Sequence, residues 1–156
     1  MAALSDYLES GLLHHLFRSD SFQKPSGICI ALTSGVPIDS DTGLTIPELP
    51  SGIDGVDTGY RRKDLGDPSS VGDAIWSFTT TSDDDPKGGL SGVVGNSDSI
   101  TFETALTDWG WVSGVAICDS GVGGNLLMHA ELGNARKIYI GDSVKFDTDT
   151  LQISLR

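Results

Sequence analysis

The residues whose spacing first points to chemistry are the glycines within Gly121–Gly124, in the stretch TDWGWVSGVAICDSGVGGNLLMHAEL (residues 107–132). A phosphate-binding glycine loop directs backbone amides at its ligand from the start of a helix, with a Lys to assist. Here the residues after Gly124 alternate as in a strand, no Lys follows closely, and neither GxGxxG nor GxxxxGK[ST] occurs. We therefore predict a hairpin turn in which Gly123 and Gly124 adopt positive φ at low steric cost.

Cysteine and histidine side chains offer a second route to catalysis or metal binding. The spacing of Cys118 and His129 is compatible with a Cys–His dyad across a hairpin. Cys118 lies in an apolar run, however, as does Cys29, so we predict two buried free thiols, with a disulfide or a reactive thiol as the alternative. His14 and His15 are adjacent and lack the i, i+4 geometry of a helical metal site. We identify no catalytic residue, metal ligand or cofactor, and predict that the protein is not an enzyme.

Acidic and aromatic residues could bind ions or sugars. Asp39–Gly43 and Asp83–Asp85 contain the clustered carboxylates that calcium favours, but neither fits the EF-hand pattern, so solvated loop acids are the simpler interpretation. Trp109 and Trp111 lie two residues apart and would share one side of an extended strand. Together with Tyr60 they could stack on a sugar, although a pair of core anchors beside a central strand is the interpretation that we prefer.

Length and charge limit the classes of partner. The chain has 156 residues, which indicates one domain with a sizeable core. It carries 10 Lys and Arg against 22 Asp and Glu, a net charge of -12, so no nucleic-acid partner is expected. No apolar run approaches the ~18 residues of a membrane span, and the beginning of the chain lacks a signal-peptide pattern. We therefore expect a soluble protein made in the cytosol, with no membrane contact.

One amphipathic helix is predicted at the start of the chain, over residues 3–17. The apolar stripe that indicates it consists of Leu4, Leu8, Leu12, Leu13, Leu16 and Phe17. Gly11 weakens this helix by about 1 kcal/mol relative to Ala, so the helix should depend on docking, either against the chain's own sheet or against a neighbouring subunit. Residues 1–20 therefore form a predicted N-terminal helix or arm.

Period-two alternation in the rest of the chain predicts strands separated by turns. Val112–Cys118 is apolar on both parities, as expected of a central strand covered on two sides. In Leu126–Leu132 the even-numbered residues should share one face and the odd-numbered residues the other. Further strands are predicted around Ile28–Leu32, Ala74–Phe78, Ile100–Phe102, Ile138–Ile140, Val144–Phe146 and Leu151–Leu155. We predict a mainly β, antiparallel, jelly-roll-like β-sandwich over residues 25–156, with an extended irregular loop at 36–65 and an exposed loop at 79–92.

The order of several segments resembles a group of small tailed-bacteriophage virion proteins. These segments are LLHHLF, PSGICIALTSGVP, GYRR, ITFETALTDWGWVSGVAICDSGVGGNLL and an IYIGDSVKF…LQISL ending. The resemblance covers nearly the whole chain, and its most specific parts are Asp108–Gly110 and Gly123–Leu127. Proteins of this group are labelled tail-fibre-like or head decoration proteins. The resemblance implies a β-rich structural protein, made in the cytoplasm of an infected host and assembled onto a particle, and brings no catalytic residue with it.

Within this group, size and acidic charge favour a capsid cement protein that clamps neighbouring subunits of the major capsid protein. The expected partners are the major capsid protein and further copies of the chain, as a homotrimer on the capsid surface. The predicted interface residues are Leu4, Leu8, Leu12, Leu16, Phe17, Tyr60, Arg61 and Arg62, and the predicted core and turn residues are Trp109, Trp111, Gly123 and Gly124. A tail or baseplate component is the alternative, and a carbohydrate-binding module a more remote one.

Overall fold

The structure, a computed structural model, describes residues 3–68, 76–78 and 93–154. These residues form one helix, α1 (Asp6–Phe17), and twelve strands. The strands are β1 (Ala3–Leu4), β2 (Cys29–Thr33), β3 (Gly52–Ile53), β4 (Val56–Asp57), β5 (Lys63–Asp64), β6 (Trp76–Phe78), β7 (Val93–Asn96), β8 (Ile100–Thr101), β9 (Gly110–Cys118), β10 (Leu126–Ile138), β11 (Lys145–Phe146) and β12 (Gln152–Ser154). The predicted loop at 79–92, with Asp83–Asp85, and the first residues of the strand predicted at Ala74–Phe78 lie outside the described residues.

A five-stranded antiparallel sheet in the order β1-β10-β9-β2-β5 forms the centre of the fold. Cys29 lies opposite Cys118 and Thr33 lies opposite Gly114, so β2 pairs along half of β9. On its other side β9 pairs with β10 in a long hairpin. The residues of β9 from Gly114 to Cys118 are all buried, which confirms the central strand that the apolar run predicts.

The central sheet is covered on both faces, which confirms the antiparallel, sandwich-like fold. On one face Ile30 and Leu32 join a core cluster that includes Ile100 and Phe102 of the β8 segment. On the other face Ala31 packs with Ala116, Cys118, Leu126 and Ile46. Neighbouring residues of a strand point to opposite faces, so β2 contributes to both layers. The smaller antiparallel sheets have the orders β12-β7-β6, β11-β8 and β3-β4.

The N-terminal helix begins three residues later than the sequence predicts. Ala3 and Leu4 pair with His129 and Met128 as strand β1, so the assignment of residues 3–5 to the helix is wrong. Ser5 is the N-cap, because its side chain accepts a hydrogen bond from the Leu8 N–H at 3.3 Å. The Ser5 hydroxyl donates to the carbonyl of Leu126, which ties the start of the helix to β10.

The extended loop at 36–65 is irregular, as predicted, but contains short strands that the sequence does not reveal. A two-residue turn, Asp54–Gly55, joins β3 to β4, with φ of 50° and 80°. Positive φ at both positions is typical of the turn that suits a tight hairpin. At its end the loop becomes strand β5, which pairs with Cys29 and Ile30 at the edge of the central sheet.

Strand β10 contains two shifts of register. Leu126 lies opposite Cys118 while Met128 lies opposite Ile117, so one extra residue bulges here. Leu126 and Met128 therefore face opposite sides, and the prediction that even-numbered residues share one face is wrong. Farther along, Glu131 pairs with Gly114 and Arg136 pairs with Val112. Residues 132–135 therefore have only Ser113 opposite them, and we call this segment the β10 bulge.

Candidate functional site

Arg62 joins two loops at one end of the β9–β10 hairpin. Its guanidinium contacts the Glu48 carboxylate through Nε (2.9 Å to Oε1) and Nη2 (2.6 Å to Oε2). The remaining N–H groups donate to the carbonyls of Gly43, Ser120 and Gly123 at 2.5, 2.9 and 2.8 Å. The side chain is only 3% exposed. Since a guanidinium has five donors, all of them are satisfied within the chain, and none is available to an anionic ligand.

Tyr60 completes this cluster from the core side. Its hydroxyl accepts from the Leu32 N–H and donates to Glu48 Oε1, both at 2.9 Å. The ring stacks on Phe102 and meets Trp109 edge-on, with ring centroids 6.3 and 5.5 Å apart. Burial raises the pKa of Tyr60, and the negative charge of Glu48 raises it further. Tyr60 therefore remains a neutral hydrogen-bonding group in the folded chain.

Neighbouring groups keep the Arg62 guanidinium protonated. Burial alone would lower the pKa of Arg62, but the hydrogen bond to Glu48 and the electrostatic attraction of neighbouring groups together outweigh burial, and the pKa is raised. A buried charge with a complete set of partners stabilises the geometry of the groups around it. Arg62 thus acts as a clamp between the loop at 36–65 and residues 119–125, which we call the clamped loop.

Of the predicted interface residues in GYRR, only Arg61 is on the surface. Its Nη2 lies 3.1 Å from Asp57 Oδ2, in an exposed pair. The backbone N–H of Gly59 and the Arg61 side chain hold the pKa of Asp57 below its usual value. Tyr60 is 2% exposed, so it and Arg62 are used inside the chain instead of facing a partner. The sequence motif did not reveal this, because its partner Glu48 lies fourteen positions earlier.

The glycine cluster forms the predicted hairpin turn. Gly123 and Gly124 have φ of 60° and 75°, in the region that disfavours other residues, and the turn connects β9 to β10. Asp119 closes the loop, because Oδ1 accepts from the Asn125 N–H and Oδ2 from its side-chain amide, both at 2.7 Å. Gly43 packs directly against this turn, where a Cβ atom would lie 2.0 Å from the Gly123 carbonyl oxygen.

Both cysteines are buried free thiols, as predicted. Cys29 and Cys118 lie directly opposite each other in neighbouring strands. Burial raises the pKa of Cys118 to about 11 and also raises that of Cys29. A thiol that keeps its proton at neutral pH is a poor nucleophile, so neither residue has the character of a reactive cysteine.

His129 does not form a dyad with Cys118. It lies opposite Ala116, whereas Cys118 lies opposite Leu126. The ring is 7% exposed, and Nε2 lies 2.9 Å from Asp39 Oδ1. Asp39, which the sequence offered as a calcium ligand, thus ties the loop at 36–65 to β10. Within the described part of the chain, no three His, Cys, Asp or Glu side chains are grouped as a metal site.

The two tryptophans have different environments. Trp109 is 6% exposed, and its indole N–H donates to the Thr58 carbonyl at 2.8 Å, which confirms a core anchor. Trp111 is 58% exposed, so its assignment to the core is wrong. Gly110 lies between them with a φ of 80°, and this left-handed residue breaks the strand geometry that would have aligned the two rings.

The predicted helical interface divides into a docked and a free part. Leu8 is buried against Ile117 and Leu127, with Leu4 and Leu12 packed beside them. Leu16 and Phe17 are 69% and 78% exposed, respectively. The first turns of α1 therefore dock on the chain's own sheet, while an apolar end remains open for a partner. Its use as an interface stays a prediction. No helix of the described residues has the length and apolar character needed to cross a membrane.

Comparison with known proteins identifies the family of this chain. A search of the curated proteins finds no match. A family model described as "Podophage GP4 fiber I protein gp80" matches residues 3–154, nearly the whole chain. The resemblance to phage virion proteins, inferred from the sequence, is thereby confirmed. The chain belongs to the Gp80 family of podophage fibre proteins and is a structural protein of the phage virion.

Proposed function

We propose that this chain is a non-enzymatic structural subunit of a podophage tail fibre. The observation that carries the proposal is the family match, because it extends over residues 3–154 and the family is described as a fibre protein. The internal use of Arg62 and the protonated state of the buried thiols are consistent with a structural role. Among the described residues, we find no nucleophile, base and orienting group arranged for catalysis.

The proposed attachment surface is the free end of α1, with Leu16 and Phe17 at its centre. A large aromatic side chain that is 78% exposed is a common anchor of protein interfaces. The proposed occupant is another copy of this chain, because the resemblance to head decoration proteins implies a homotrimer and the docked part of the helix holds the free end in a defined position. Because Leu8 anchors the helix to the sheet, substitutions of Leu16 and Phe17 should leave the fold intact.

The head cement role predicted from size and charge is the second candidate. Its partner would be the major capsid protein, and its location would be the capsid surface. Acidic charge and the lack of sequence repeats motivate this candidate, whereas the family description favours the fibre. The two roles differ in copy number, since a cement covers the whole head lattice and a fibre subunit is present only at the tail.

Quantitative mass spectrometry of purified particles, with separated heads and tails, tests the proposal. A few copies per particle, recovered with the tails, would support the fibre. A copy number comparable with that of the major capsid protein, recovered with heads, would overturn the fibre assignment in favour of the cement. Absence from the particles would contradict both candidates.

Substitution of Leu16 and Phe17 by Ser tests the attachment surface. We expect the double variant to keep the unfolding midpoint of the wild type, because both side chains are exposed, and to sediment as a smaller species. The matched control is Val56→Ser, which changes another apolar side chain that is 57% exposed. An unchanged sedimentation coefficient of the double variant would contradict the proposed self-association.

A further inference from the structure

We propose that the cavity beside the β10 bulge binds an acidic sugar, a pyranose that carries a carboxylate or phosphate group. The cavity has a volume of about 310 Å³. It is lined by Val112, Leu132, Asn134, Arg136, Ile138, Ser143, Val144, Lys145 and Phe146. We call it the bulge cleft. The inference goes beyond the proposed location on a tail fibre and does not depend on it.

The cleft exists because the register of the β9–β10 pairing jumps. Between the Glu131–Gly114 and Arg136–Val112 pairs, four residues of β10 are accommodated against one residue of β9. Large bulges of this kind redirect side chains and are common beside binding sites. Here Leu132, Asn134 and Arg136 line the cavity together with residues 143–146 from the β11 segment.

The floor of the cleft is apolar and well supported. Val112 and Ile138 belong to the main core cluster, and Leu132, Val144 and Phe146 pack against it. The Phe146 ring also meets Phe102 edge-on, with centroids 6.4 Å apart. A cavity of a few hundred Å³ with a fixed apolar floor and a small number of polar groups has the general form of a small-ligand site.

The charged residues that line the cleft are both positive. Arg136 and Lys145 line it, and no Asp or Glu does, although acidic residues outnumber basic ones by more than two to one in the whole chain. Lys145 pairs with Asp147 at 2.7 Å, and Asp147 is not a lining residue. No ion pair within the described residues uses Arg136, in contrast to Arg62. Its planar fork can therefore bind a carboxylate or phosphate through two hydrogen bonds.

A sugar fits these groups better than an acidic peptide side chain. A pyranose has apolar C–H faces and hydroxyl edges, which match the Phe146 floor and the donors and acceptors of Asn134 and Ser143. The side chain of an Asp or Glu would use the charge of Arg136 but would leave Asn134 and Ser143 without a counterpart. The combination of apolar floor, hydroxyl-binding groups and cations thus favours an acidic sugar.

Titration of the full chain with D-glucuronate, D-glucose, glucose 6-phosphate and inorganic phosphate, followed by NMR, tests the inference. We expect saturable shifts at residues of the cleft with one of the two acidic sugars, and binding of glucose weaker by about tenfold or more. The acidic sugar that binds more tightly identifies its charged group as carboxylate or phosphate. Equal affinity for glucose and both acidic sugars would overturn the proposal, as would inorganic phosphate binding as tightly as either sugar.

Variants separate the charge from the hydroxyl contacts. Arg136→Gln should weaken acidic-sugar binding by about tenfold, while Arg18→Gln, the same change at a distant exposed position, should leave it unaltered. Asn134→Ala should weaken sugar binding and leave the affinity for acetate unchanged. Wild-type affinity for the acidic sugar in Arg136→Gln would overturn the proposal. Tighter binding of a short poly-glutamate peptide than of either sugar would also overturn it, in favour of a protein ligand.

Discussion

The two ends of the β9–β10 hairpin use similar side chains in opposite ways. At the clamped loop, Arg62 is buried and all of its donors are bonded within the chain. At the β10 bulge, Arg136 is exposed and lines a cavity. An arginine can hold loops together or bind a ligand, and the difference lies in how many of its donors the chain already satisfies. Neither role can be inferred from residue type.

Gly43, at the clamped loop, and Gly133, in the β10 bulge, differ in how much space surrounds them. Gly43 approaches the clamped loop so closely that a Cβ atom would overlap the Gly123 carbonyl oxygen, whereas Gly133 in the bulge has no atom within 4 Å of a Cβ position. At the clamped loop the two backbone segments are therefore in direct contact, whereas the β10 bulge has room for a side chain at Gly133. A side chain added at Gly43 would displace backbone atoms, whereas one added at Gly133 would not.

The largest effect should come from substitution of Arg62, and Arg136 provides the comparison. Arg62→Ala leaves the Glu48 carboxylate and three carbonyls without their partner, so we expect a loss of about 3–5 kcal/mol in the free energy of unfolding. Arg136→Ala removes an exposed side chain and should change that free energy by less than about 0.5 kcal/mol. Urea denaturation of both variants measures the difference. Similar losses in the two variants would contradict the contrast between the ends.

A smaller loss of stability should come from substitution of Gly43, and Gly133 provides the comparison. Gly43→Ala requires the clamped loop to move away, at an expected cost of about 1–3 kcal/mol. Gly133→Ala meets no atom and has no positive φ, so its unfolding free energy should stay the same or rise slightly, since alanine restricts the unfolded chain. The same denaturation experiment provides the measurement. If Gly43→Ala were as stable as the wild type, the close packing at this end would be refuted.

The smallest effect is a loss of stability at alkaline pH that arises at the clamped end. The pKa of Cys118 is about 11 in the folded chain, against an ordinary value of 9.0, so the unfolded chain loses the thiol proton first. Unfolding then releases a proton, and stability is complete below about pH 9 and falls between about pH 9 and 11, by at most ~1.4 kcal/mol per pH unit.

Denaturation under reducing conditions at about pH 8 and pH 10 measures this loss. Cys118→Ala should reduce the pH dependence, although Cys29, whose pKa is also raised, retains a part of it. The matched control is Trp111→Phe, an exposed position at the other end of the hairpin, which should show the full dependence of the wild type. An identical slope in Cys118→Ala and in the wild type would show that this thiol does not contribute.

The amino-acid pattern alone was sufficient for the class of fold and the hairpin turn, and the resemblance of several segments to phage virion proteins indicated the family. Alternation of apolar residues predicts strands because neighbouring residues of a strand point to opposite faces of a sheet. Gly123 and Gly124 predict a turn because few other residues tolerate positive φ. The doubly apolar run of β9 predicted a central strand for the same local reason. The strands and the turn depend on residues that are close together in the sequence, so the sequence itself reveals them.

Only the tertiary structure decided which polar and aromatic residues are available. Burial of Arg62 depends on Glu48, exposure of Trp111 depends on the left-handed Gly110, and the bulge cleft depends on two strands pairing out of register. The Gly133–Asn134 pair within a strand pattern is a signal that could have revealed the bulge. The complete lining of the bulge cleft could not be predicted, because part of it comes from residues 143–146, which the fold brings beside β10 through contacts distant in sequence.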